Sequence, residues 1–264
     1  MLSAVGLIPA RYESSRLPGK PLVDLQGKPL LYHVYKRALR AQSLSRVLIA
    51  TDDERIYNAA RDFGAEVVMT ERAHRSGTDR IAEAVRTLDA DIVVNIQGDE
   101  PFIEFQAINR VVELLQEDPA ADMSTLIAPV RAVEELVNPN VVKVVADERG
   151  YAVYFSRSPI PYARVKGLPY AQIFELAQRD PDLLKHFYRH IGLYAYRKDF
   201  LMLFTKWAPS PLEVLEDLEQ LRAIDHGVRI KLGVTGMQVH GVDTPEDMER
   251  IRKLVEGNPQ LLEA

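Results

Sequence analysis

The sequence contains no cysteine. This absence excludes disulfide bonds, thiolate metal sites, iron–sulfur clusters and cysteine nucleophiles. With 264 residues, the chain falls between one and two domains of roughly 150 residues each. A chain of this length buries enough surface to fold without covalent or metal cross-links. The absence of cysteine therefore leaves an ordinary apolar core as the expected source of stability.

Long apolar runs and a large excess of one charge are also missing. Charges interrupt every apolar stretch before it reaches the length of a membrane span, and the apolar N-terminus lacks the basic flank of a signal peptide. We therefore expect a cytoplasmic protein. The 33 Lys and Arg against 38 Asp and Glu give a net charge of −5, which argues against non-specific binding to nucleic acids or membranes, although a local basic patch could exist. The 14 glycines and 16 prolines are too few for a disordered or collagen-like chain.

Short apolar runs alternate with amphipathic stretches in the first half of the chain. The runs at residues 4–8, 47–50, 66–69 and 92–96 predict strands. The patterns at residues 30–41, 55–63, 79–88 and 105–117 predict helices. Strands that alternate with helices predict an α/β fold with a doubly wound, mostly parallel sheet.

The pattern becomes richer in strands after about residue 119. Residues 142–146 and 151–155 flank a turn sequence and predict a hairpin, and residues 186–197 predict a further strand. The polar stretch at 158–185 has little periodicity. Beyond it we predict a helix at 212–224, strands at 229–234 and 237–239, and a helix at 245–255. We interpret residues 1–264 as a single domain with a β-rich insertion at about 120–210.

The loop that follows the first strand carries three cations, Arg11, Arg16 and Lys20. It has neither a dinucleotide-binding glycine pattern nor a Walker A sequence. Arginine binds phosphate in a bidentate manner and lysine acts as a point charge, so the three cations could converge on a polyphosphate. The alternative is a solvated surface loop, which the charge spacing alone favours.

Two acidic loops are candidates for a Mg²⁺ site. Asp99 follows the strand at 92–96, where carboxylates can hold a hard cation, although they also form turns and helix caps. Asp243 precedes the last helix. There, Thr244 and Asp247 have the spacing of a capping box and Pro245 stands at the first helical position, so Asp243 is not needed as the cap. If Asp99 and Asp243 converge, they form a plausible Mg²⁺ site.

Two further segments have faces of mixed character. In the strand at 186–197, a two-residue period places Ile191, Leu193 and Ala195 on a core face. The second face either lines a polar pocket or exposes tyrosines. Its residues are Tyr188, His190, Tyr194 and Tyr196. In the helix at 212–224, a buried stripe is predicted for Leu212, Leu215, Leu218 and Leu221. Glu213, Glu216 and Gln220 share another face, which is more often solvated than functional.

Several motifs occur in a fixed order along the chain: IPARYESSRLPGKPL, HRSGTDR, NIQGDEPF, VKVV, YFSRSPIPY, RHIGLYAYR, PSPLEVLEDLEQLR and HGVDTPEDMERI. Together they resemble the 3-deoxy-manno-octulosonate (Kdo) cytidylyltransferase family over nearly the entire chain. The resemblance implies a nucleotide-diphospho-sugar transferase-like fold, CTP and Kdo as substrates, Mg²⁺ as cofactor and a homodimer. It also implies that the product, CMP-Kdo, serves lipopolysaccharide biosynthesis, and that the insertion binds the sugar and forms the dimer.

The same resemblance assigns roles to individual residues. Arg11, Arg16 and Lys20 would contact the phosphates of CTP, and Asp99 and Asp243 would be the metal ligands. The base region would contain Ser76, Gly77, Thr78 and Arg80, although Thr78 or Asp79 could simply begin a helix. The acidic sugar would be surrounded by Gln97, Arg157, His190, Tyr194, Glu213 and Glu216. Residues 166–184 match no motif of the family.

Three alternatives remain open at this point. A cytidylyltransferase for another acidic sugar, such as a sialic acid or an amino analogue of Kdo, would share the fold and the CTP site. A metal-dependent glycosyltransferase would usually carry a D-x-D element, whereas Asp99 lies in GDEP. A nucleotide-binding regulator without catalysis need not keep Asp99, Asp243 and Lys20 together.

Overall fold

The computed structural model describes residues 2–14, 16–164, 175 and 181–262. Within these residues, nine strands form one mixed sheet, and β2 (Asp24–Leu25) pairs with β3 (Lys28–Pro29) in a separate ribbon. The strands of the large sheet are β1 (Ala4–Ala10), β4 (Arg46–Thr51), β5 (Glu66–Met69), β6 (Ile92–Asn95), β7 (Met123–Pro129), β8 (Lys143–Ala146), β9 (Ala152–Ser156), β10 (Tyr188–Arg197) and β11 (Ile230–Val234).

The helices follow the amphipathic stretches of the sequence. Those in the described residues are α1 (Leu30–Ala38), α2 (Glu54–Asp62), α3 (Gly77–Val85), α4 (Phe105–Glu117), α5 (Val133–Val137), α6 (Lys198–Phe204), α7 (Pro211–Glu216), α8 (Gln220–Asp225) and α9 (Pro245–Gly257). Short 3₁₀ turns occupy Lys20–Leu22, Pro181–His186 and Pro259–Leu262.

The main sheet has the strand order β11-β7-β10-β6-β1-β4-β5. Neighbours are parallel from β6 to β5 and between β7 and β11, whereas β10 is antiparallel to both β6 and β7. The β8–β9 hairpin attaches through β8 to β10. The predicted α/β fold with a mostly parallel sheet is confirmed. Because β1 and β6 are parallel neighbours, the loops that follow them leave the same edge of the sheet.

Helices cover both faces of the sheet, so the central strands are buried on both sides. In β1, Ile8 packs in one core cluster with residues of α1 and α4, while Leu7 packs in the other with residues of α3. Both side chains are completely buried. This double burial explains why β1 and β6 are almost continuously apolar in the sequence.

The helix predicted over residues 212–224 is divided in two. Asp217 adopts a left-handed conformation, with φ 52° and ψ 51°, and this conformation ends α7 before α8 begins. The break turns Leu215 outward: it is 80% exposed, so its place in the predicted buried stripe was wrong, while Leu218 and Leu221 are buried.

The strand predicted at residues 237–239 was also wrong, because this segment is irregular. The pairing of β11 with β7 ends where the Thr235 amide donates to the carbonyl of Ile127. The Thr235 hydroxyl then accepts the amide of Met237 at 3.1 Å, a local turn that competes with a sheet ladder.

The β-rich segment contains the predicted β8–β9 hairpin and the long strand β10, and both are confirmed. Most of the polar stretch at 158–185, including most of residues 166–184, lies outside the described residues. The single domain with an insertion at about 120–210 stays a prediction.

Candidate active site

A cavity of about 840 Å³ opens at the edge of the sheet where β1 and β6 end. Its walls come from the loop after β1, the beginning of α3, the loop after β6 and Asp243 before α9. These four segments are far apart in sequence and meet because their strands and helices belong to one layered sheet. The cavity is large enough for a small-molecule ligand.

The loop after β1 folds back on itself and places Lys20 inside the cavity. The amide of Gly19 donates to the carbonyl of Tyr12 at 2.9 Å. Gly19 has φ +70°, and a Cβ atom there would lie 3.1 Å from the Tyr12 ring, so this position requires glycine. The 3₁₀ turn begins at the next residue and directs the Lys20 side chain towards the acidic residues.

Lys20 bridges the two aspartates that the sequence analysis singled out. Its Nζ lies 2.6 Å from Oδ2 of Asp99 and 3.1 Å from Oδ1 of Asp243. Burial alone would lower the pKa of Lys20, but the charges and hydrogen bonds of the two carboxylates outweigh it and raise the pKa above its usual value. The ammonium therefore stays charged.

The other two cations of the loop lie in the same cavity. Arg16 places Nη2 3.1 Å from Oδ2 of Asp243, and Arg11 is exposed in the cavity wall. The structure thus brings Arg11, Arg16 and Lys20 together opposite the acidic pair. This arrangement can bind a polyphosphate through the cations and a metal ion through the carboxylates.

Asp99 and Asp243 fit a Mg²⁺ ion by the chemistry of their donors. Carboxylate oxygens are hard ligands, and Mg²⁺ is usually held by one or two of them together with water and phosphate oxygens. Within the part of the chain that the structure describes, no group of three or more acidic, histidine or cysteine side chains could hold a metal. The ammonium of Lys20 already shows that a cation is favoured between the two aspartates.

Asp243 is available for this role because its neighbours cap the helix. Thr244 accepts the amide of Asp247 at 3.1 Å, Asp247 accepts the amide of Thr244 at 3.0 Å, and Pro245 is the first residue of α9. The predicted capping box is confirmed, and both oxygens of Asp243 face cations of the loop after β1.

Glu100 is a third carboxyl group at this edge, which the sequence analysis did not select. Burial, with the nearby charge of Asp99, raises the pKa of Glu100 to about 8, although the amide of His240 donates to it at 3.0 Å. A Cβ at Gly241 would lie 3.0 Å from its Oε1. The only signal in the sequence is its position directly after Asp99.

The beginning of α3 forms the opposite wall. Ser76 is the N-cap: its hydroxyl accepts the amide of Asp79 at 3.1 Å, and the Asp79 carboxylate accepts the amide of Ser76 at 3.3 Å. Ser76, not Thr78 or Asp79, therefore begins the helix. Ser76 and Gly77 line the cavity, and a Cβ at Gly77 would lie 3.1 Å from Pro9 at the end of β1.

Arg80 and Thr78 differ in where they point. Arg80 lines the cavity and is almost fully buried. Its guanidinium donates to Asp52 at 2.9 Å and to Thr70 at 2.5 Å, and these hydrogen bonds satisfy the buried charge. Thr78 is not part of the cavity wall, and its hydroxyl donates to Oε2 of Glu219 at 2.5 Å. These partners come from other segments of the chain, so the residues around Arg80 and Thr78 do not identify them.

Gln97 connects the cavity to β10. It lines the large cavity and also a small cleft of about 30 Å³ that contains Gly192. Gly192 and Leu193 form a bulge in the pairing of β10 with β7, and nothing lies within 4 Å of a Cβ built at Gly192. Gln97 therefore faces open space beside the strand that carries His190 and Tyr194.

The side chains of both of those β10 residues are at least half-buried, and each keeps its neutral form. The Nε2 atom of His190 lies 2.9 Å from the Thr125 hydroxyl, and burial lowers the pKa of His190 to about 3. Burial also raises the pKa of Tyr194 well above its usual value. The predicted separation of faces is confirmed: Ile191, Leu193 and Ala195 lie in one core cluster, and Tyr188, Tyr194 and Tyr196 pack on the other. Neither His190 nor Tyr194 lines the large cavity.

Arg157 and Glu216 connect α7 to the β8–β9 hairpin. The guanidinium of Arg157 donates to three carbonyl oxygens, those of Glu216 at 2.6 Å, Pro139 at 3.0 Å and Asp217 at 3.1 Å. The Glu216 carboxylate accepts the hydroxyl of Ser156 at 2.6 Å and the amide of Arg157 at 2.8 Å. Both residues lie outside the large cavity.

Glu213 lines a second cavity, of about 810 Å³, which shares His74 and Ser76 with the first. Its carboxylate pairs with Arg222 at 2.5 Å and completes a capping box with Ser210. Glu219 lines the same second cavity and was not selected from the sequence. Its signal was the three-residue spacing that continues from Glu213 through Glu216.

Comparison with known proteins identifies the class to which this fold and site belong. A family model described as cytidylyltransferase matches residues 5–230, so the chain is a nucleotidyltransferase. The chain is 48% identical to the 3-deoxy-manno-octulosonate cytidylyltransferase of Geobacter sulfurreducens, over 95% of this chain and 98% of that protein. It is 50% identical to that of Syntrophobacter fumaroxidans, over 94% of each chain. The chain belongs to the 3-deoxy-manno-octulosonate cytidylyltransferase family.

Solved structures agree with this assignment. A CMP:2-keto-3-deoxy-manno-octonic acid synthetase complexed with CTP is 41% identical and superimposes with a TM-score of 0.86, covering 97% of this chain and 99% of that one. A 4-diphosphocytidyl-2C-methyl-D-erythritol synthase from Anaerococcus prevotii, at 12% identity and a TM-score of 0.61 over 97% of this chain and 96% of that one, shares the fold. None of the helices in the described residues is long and apolar enough to cross a membrane.

Proposed function

We propose that this chain transfers the cytidylyl group of CTP to Kdo and releases pyrophosphate, and that the product CMP-Kdo serves lipopolysaccharide biosynthesis. The observation that carries the proposal is that Arg16 and Lys20 contact the Asp99–Asp243 pair in a cavity that Arg11 also lines. The relatives that carry the name of this activity, and the related structure that contains CTP, support the same substrate pair.

In the proposed reaction the anomeric hydroxyl of Kdo attacks the α-phosphorus of CTP. A bond forms between the sugar oxygen and phosphorus, the bond from phosphorus to the β-bridging oxygen breaks, and pyrophosphate leaves with that electron pair, while the hydroxyl proton passes to solvent. Such transfers require mainly positioning and charge stabilisation. Arg11, Arg16 and Lys20 offset the charge that develops on pyrophosphate, and removal of one such contact lowers the rate by about 10²- to 10³-fold.

Mg²⁺ is the proposed cofactor, with Asp99 and Asp243 as its protein ligands. When bound, the ion supplies Lewis-acid activation of the sugar hydroxyl and neutralises charge on the α-phosphate. The chain itself contributes the two carboxylates and holds Lys20 between them, so its own cation balances the acidic pair.

The sugar is proposed to bind between the large cavity and β10. Gln97 lies at this junction and can donate to the sugar, and His190 and Tyr194 lie on the neighbouring strand. Because His190 is neutral, it would contribute a hydrogen bond and no charge. Arg157, Glu213 and Glu216 complete the proposed set. Arg157 and Glu216 join α7 to the β8–β9 hairpin, which pairs with this strand, and Glu213 pairs with Arg222 of α8.

A homodimer is proposed to form through the β8–β9 hairpin of the β-rich segment together with the adjoining helix α7. Val153 of β9 and Val214 and Leu215 of α7 are exposed apolar side chains, at 53%, 71% and 80% exposure. The hydrogen bond between Ser156 and Glu216 holds these two elements together. Leu215→Glu should therefore shift the sedimentation coefficient from that of a dimer to that of a monomer. An unchanged dimer would place the interface elsewhere.

Pyrophosphate release, measured for each nucleoside triphosphate with Kdo, an amino analogue of Kdo and a sialic acid, tests the activity. We expect release with CTP and Kdo, and its absence would refute the proposal. Preference for another sugar would favour a different acidic-sugar cytidylyltransferase. Asp99→Ala should abolish release without loss of the folded circular-dichroism spectrum. Asp62→Ala, an exposed carboxylate on α2, is the matched control that should stay active.

A further inference from the structure

A partly buried hydrogen bond joins two parts of the chain that lie 141 residues apart. Thr78, in the first turn of α3, donates its hydroxyl to Oε2 of Glu219 at 2.5 Å. Thr78 is 3% exposed and the Glu219 side chain is 29% exposed. A carboxylate that accepts a hydrogen bond in a largely buried setting fixes its donor more firmly than a solvated contact does.

Thr78 belongs to the beginning of α3, which forms one wall of the large cavity where we propose that CTP binds. Ser76 and Gly77 face the cavity, and Gly77 packs against Pro9 on the side of β1. Arg80, one turn later, is held by Asp52. These contacts anchor α3 to the nucleotide-binding half of the sheet. The Thr78 hydroxyl anchors the same turn to the α7–α8 region.

Glu219 is itself held in place at the beginning of α8. Nη2 of Arg222 lies 3.9 Å from Oε1 of Glu219 and 2.5 Å from Oε1 of Glu213. Burial raises the pKa of Glu219, while the hydrogen bond from Thr78 and the charge of Arg222 act in the opposite direction. A carboxylate also interacts favourably with the positive end of a helix, and Glu219 lies against the beginning of α3.

We propose that Glu219 is a positioning residue for the nucleotide. By accepting the Thr78 hydroxyl, it fixes the first turn of α3, so that Ser76 and Gly77 are presented to CTP in one orientation. The resemblance to the family places Thr78 itself in the base region, whereas the structure directs its hydroxyl away from the cavity and onto Glu219. The proposal rests on the proposed function for the identity of the nucleotide.

The test is a double-mutant cycle on Glu219→Ala and Thr78→Val, with CTP binding to the full chain measured by calorimetry in the absence of sugar. Each single variant should weaken CTP binding by about tenfold, the size of one lost hydrogen bond to a charged group. The double variant should bind CTP no more weakly than Glu219→Ala alone, because Glu219→Ala already removes the contact that Thr78→Val removes. Glu219→Gln and Thr78→Ser keep an acceptor and a donor, so both should bind CTP within about twofold of the unmodified chain.

Steady-state kinetics separate positioning from a general loss of stability. Glu219→Ala should raise KM for CTP about tenfold, in line with the same lost hydrogen bond, and leave KM for the sugar and kcat nearly unchanged. Glu113→Gln, an exposed carboxylate on α4, is the control. Unchanged CTP binding in Glu219→Ala, multiplicative effects in the double variant, or an equal rise in both KM values would overturn the proposal. If Glu219→Ala fails to fold, a tenfold loss in Glu219→Gln would overturn it as well.

These outcomes are distinct from a failure of the proposed function. A chain that binds CTP but releases no pyrophosphate with Kdo would refute the sugar assignment, and the calorimetric cycle would still decide the role of Glu219. A chain that makes CMP-Kdo but tolerates Glu219→Ala without change would refute only the positioning role.

Discussion

Replacing Lys20 with methionine should have opposite effects on metal binding and on turnover. The Lys20 ammonium lies 2.6 Å from Asp99 and 3.1 Å from Asp243, between the two carboxylates proposed to hold Mg²⁺. A divalent ion on the same carboxylates would lie close to this ammonium and be repelled by it. Methionine keeps the length of the side chain and removes its charge, so the variant should bind Mg²⁺ more tightly and turn over more slowly.

The magnitude of the gain in metal affinity follows from the exposure of the site. The side chains of Lys20, Asp99 and Asp243 are 17%, 27% and 49% exposed, so water screens the interaction considerably. A unit charge and a divalent ion about 5 Å apart repel by about 1.7 kcal/mol in a medium with the dielectric constant of water, roughly 15-fold in affinity. The loss of the same charge from the transition state should lower kcat by about 10²- to 10³-fold.

Metal affinity is measured on the full chain without nucleotide, by calorimetry with Mg²⁺ and by the electron paramagnetic resonance signal of free Mn²⁺. Lys28→Met is the matched control, because Lys28 is exposed on β3 and should leave the affinity unchanged. Asp99→Asn should weaken binding. If Lys20→Met binds the ions no more tightly than the unmodified chain, the ammonium does not compete for the metal position and the reasoning is refuted.

Three further predictions concern the loop, the helix break and the buried histidine. Gly19→Ala and Gly27→Ala both place alanine at a positive φ, which costs about 1–3 kcal/mol of strain in each variant. Only Gly19→Ala crowds the Tyr12 ring, so only this variant should raise KM for CTP. Equal kinetics of the two variants would contradict this prediction. Asp217→Gly should stabilise the fold in urea unfolding by about 0.5–1 kcal/mol, because relief of about 1–3 kcal/mol of strain at φ 52° exceeds the entropic cost of glycine of about 0.5–1 kcal/mol. A loss of stability would argue against strain at this position. Because burial lowers the pKa of His190 to about 3 from 6.5, only the unfolded chain takes up this proton between those values. The free energy of unfolding should therefore fall as pH decreases from 6.5 to 3, and less so in His190→Asn; an identical decrease in both proteins would refute this assignment.

The arrangement of the first half of the chain could be predicted because its signal is local. A strand covered on both faces must be apolar at almost every position, and a helix that packs on one side must be apolar at a spacing of three or four residues. These constraints hold for β1, with Leu7 and Ile8 buried on opposite faces, and for α4. No long-range information is needed to recognise either pattern.

The features that the sequence did not reveal depend on distant partners. β10 lies between β6 and β7 and is antiparallel to both. This placement depends on pairing across the sheet, and the alternation of residues within β10 does not reveal which strands are its neighbours. The periodicity of residues 212–224 continues through Asp217 although the helix does not, because one left-handed residue changes the direction of the chain without changing the pattern of leucines. Leu215 therefore fits the apolar stripe in sequence and lies 80% exposed in the structure.

The candidate site also contains some features that local sequence could predict and others that depend on distant partners. Residues that come directly after a strand, such as Asp99, or directly before a helix, such as Asp243, could be selected because the topology of a parallel sheet sends such positions to one edge. The contacts between site residues could not be predicted, because they join distant parts of the chain. The partners of Lys20 are 79 and 223 residues away, and Glu219 is 141 residues from Thr78. The contacts of Lys20 join walls of one cavity, and the contact of Thr78 joins α3 to the residue before α8. The chemistry of the site is therefore visible in short motifs, whereas its rigidity depends on contacts that exist only once the whole chain has folded.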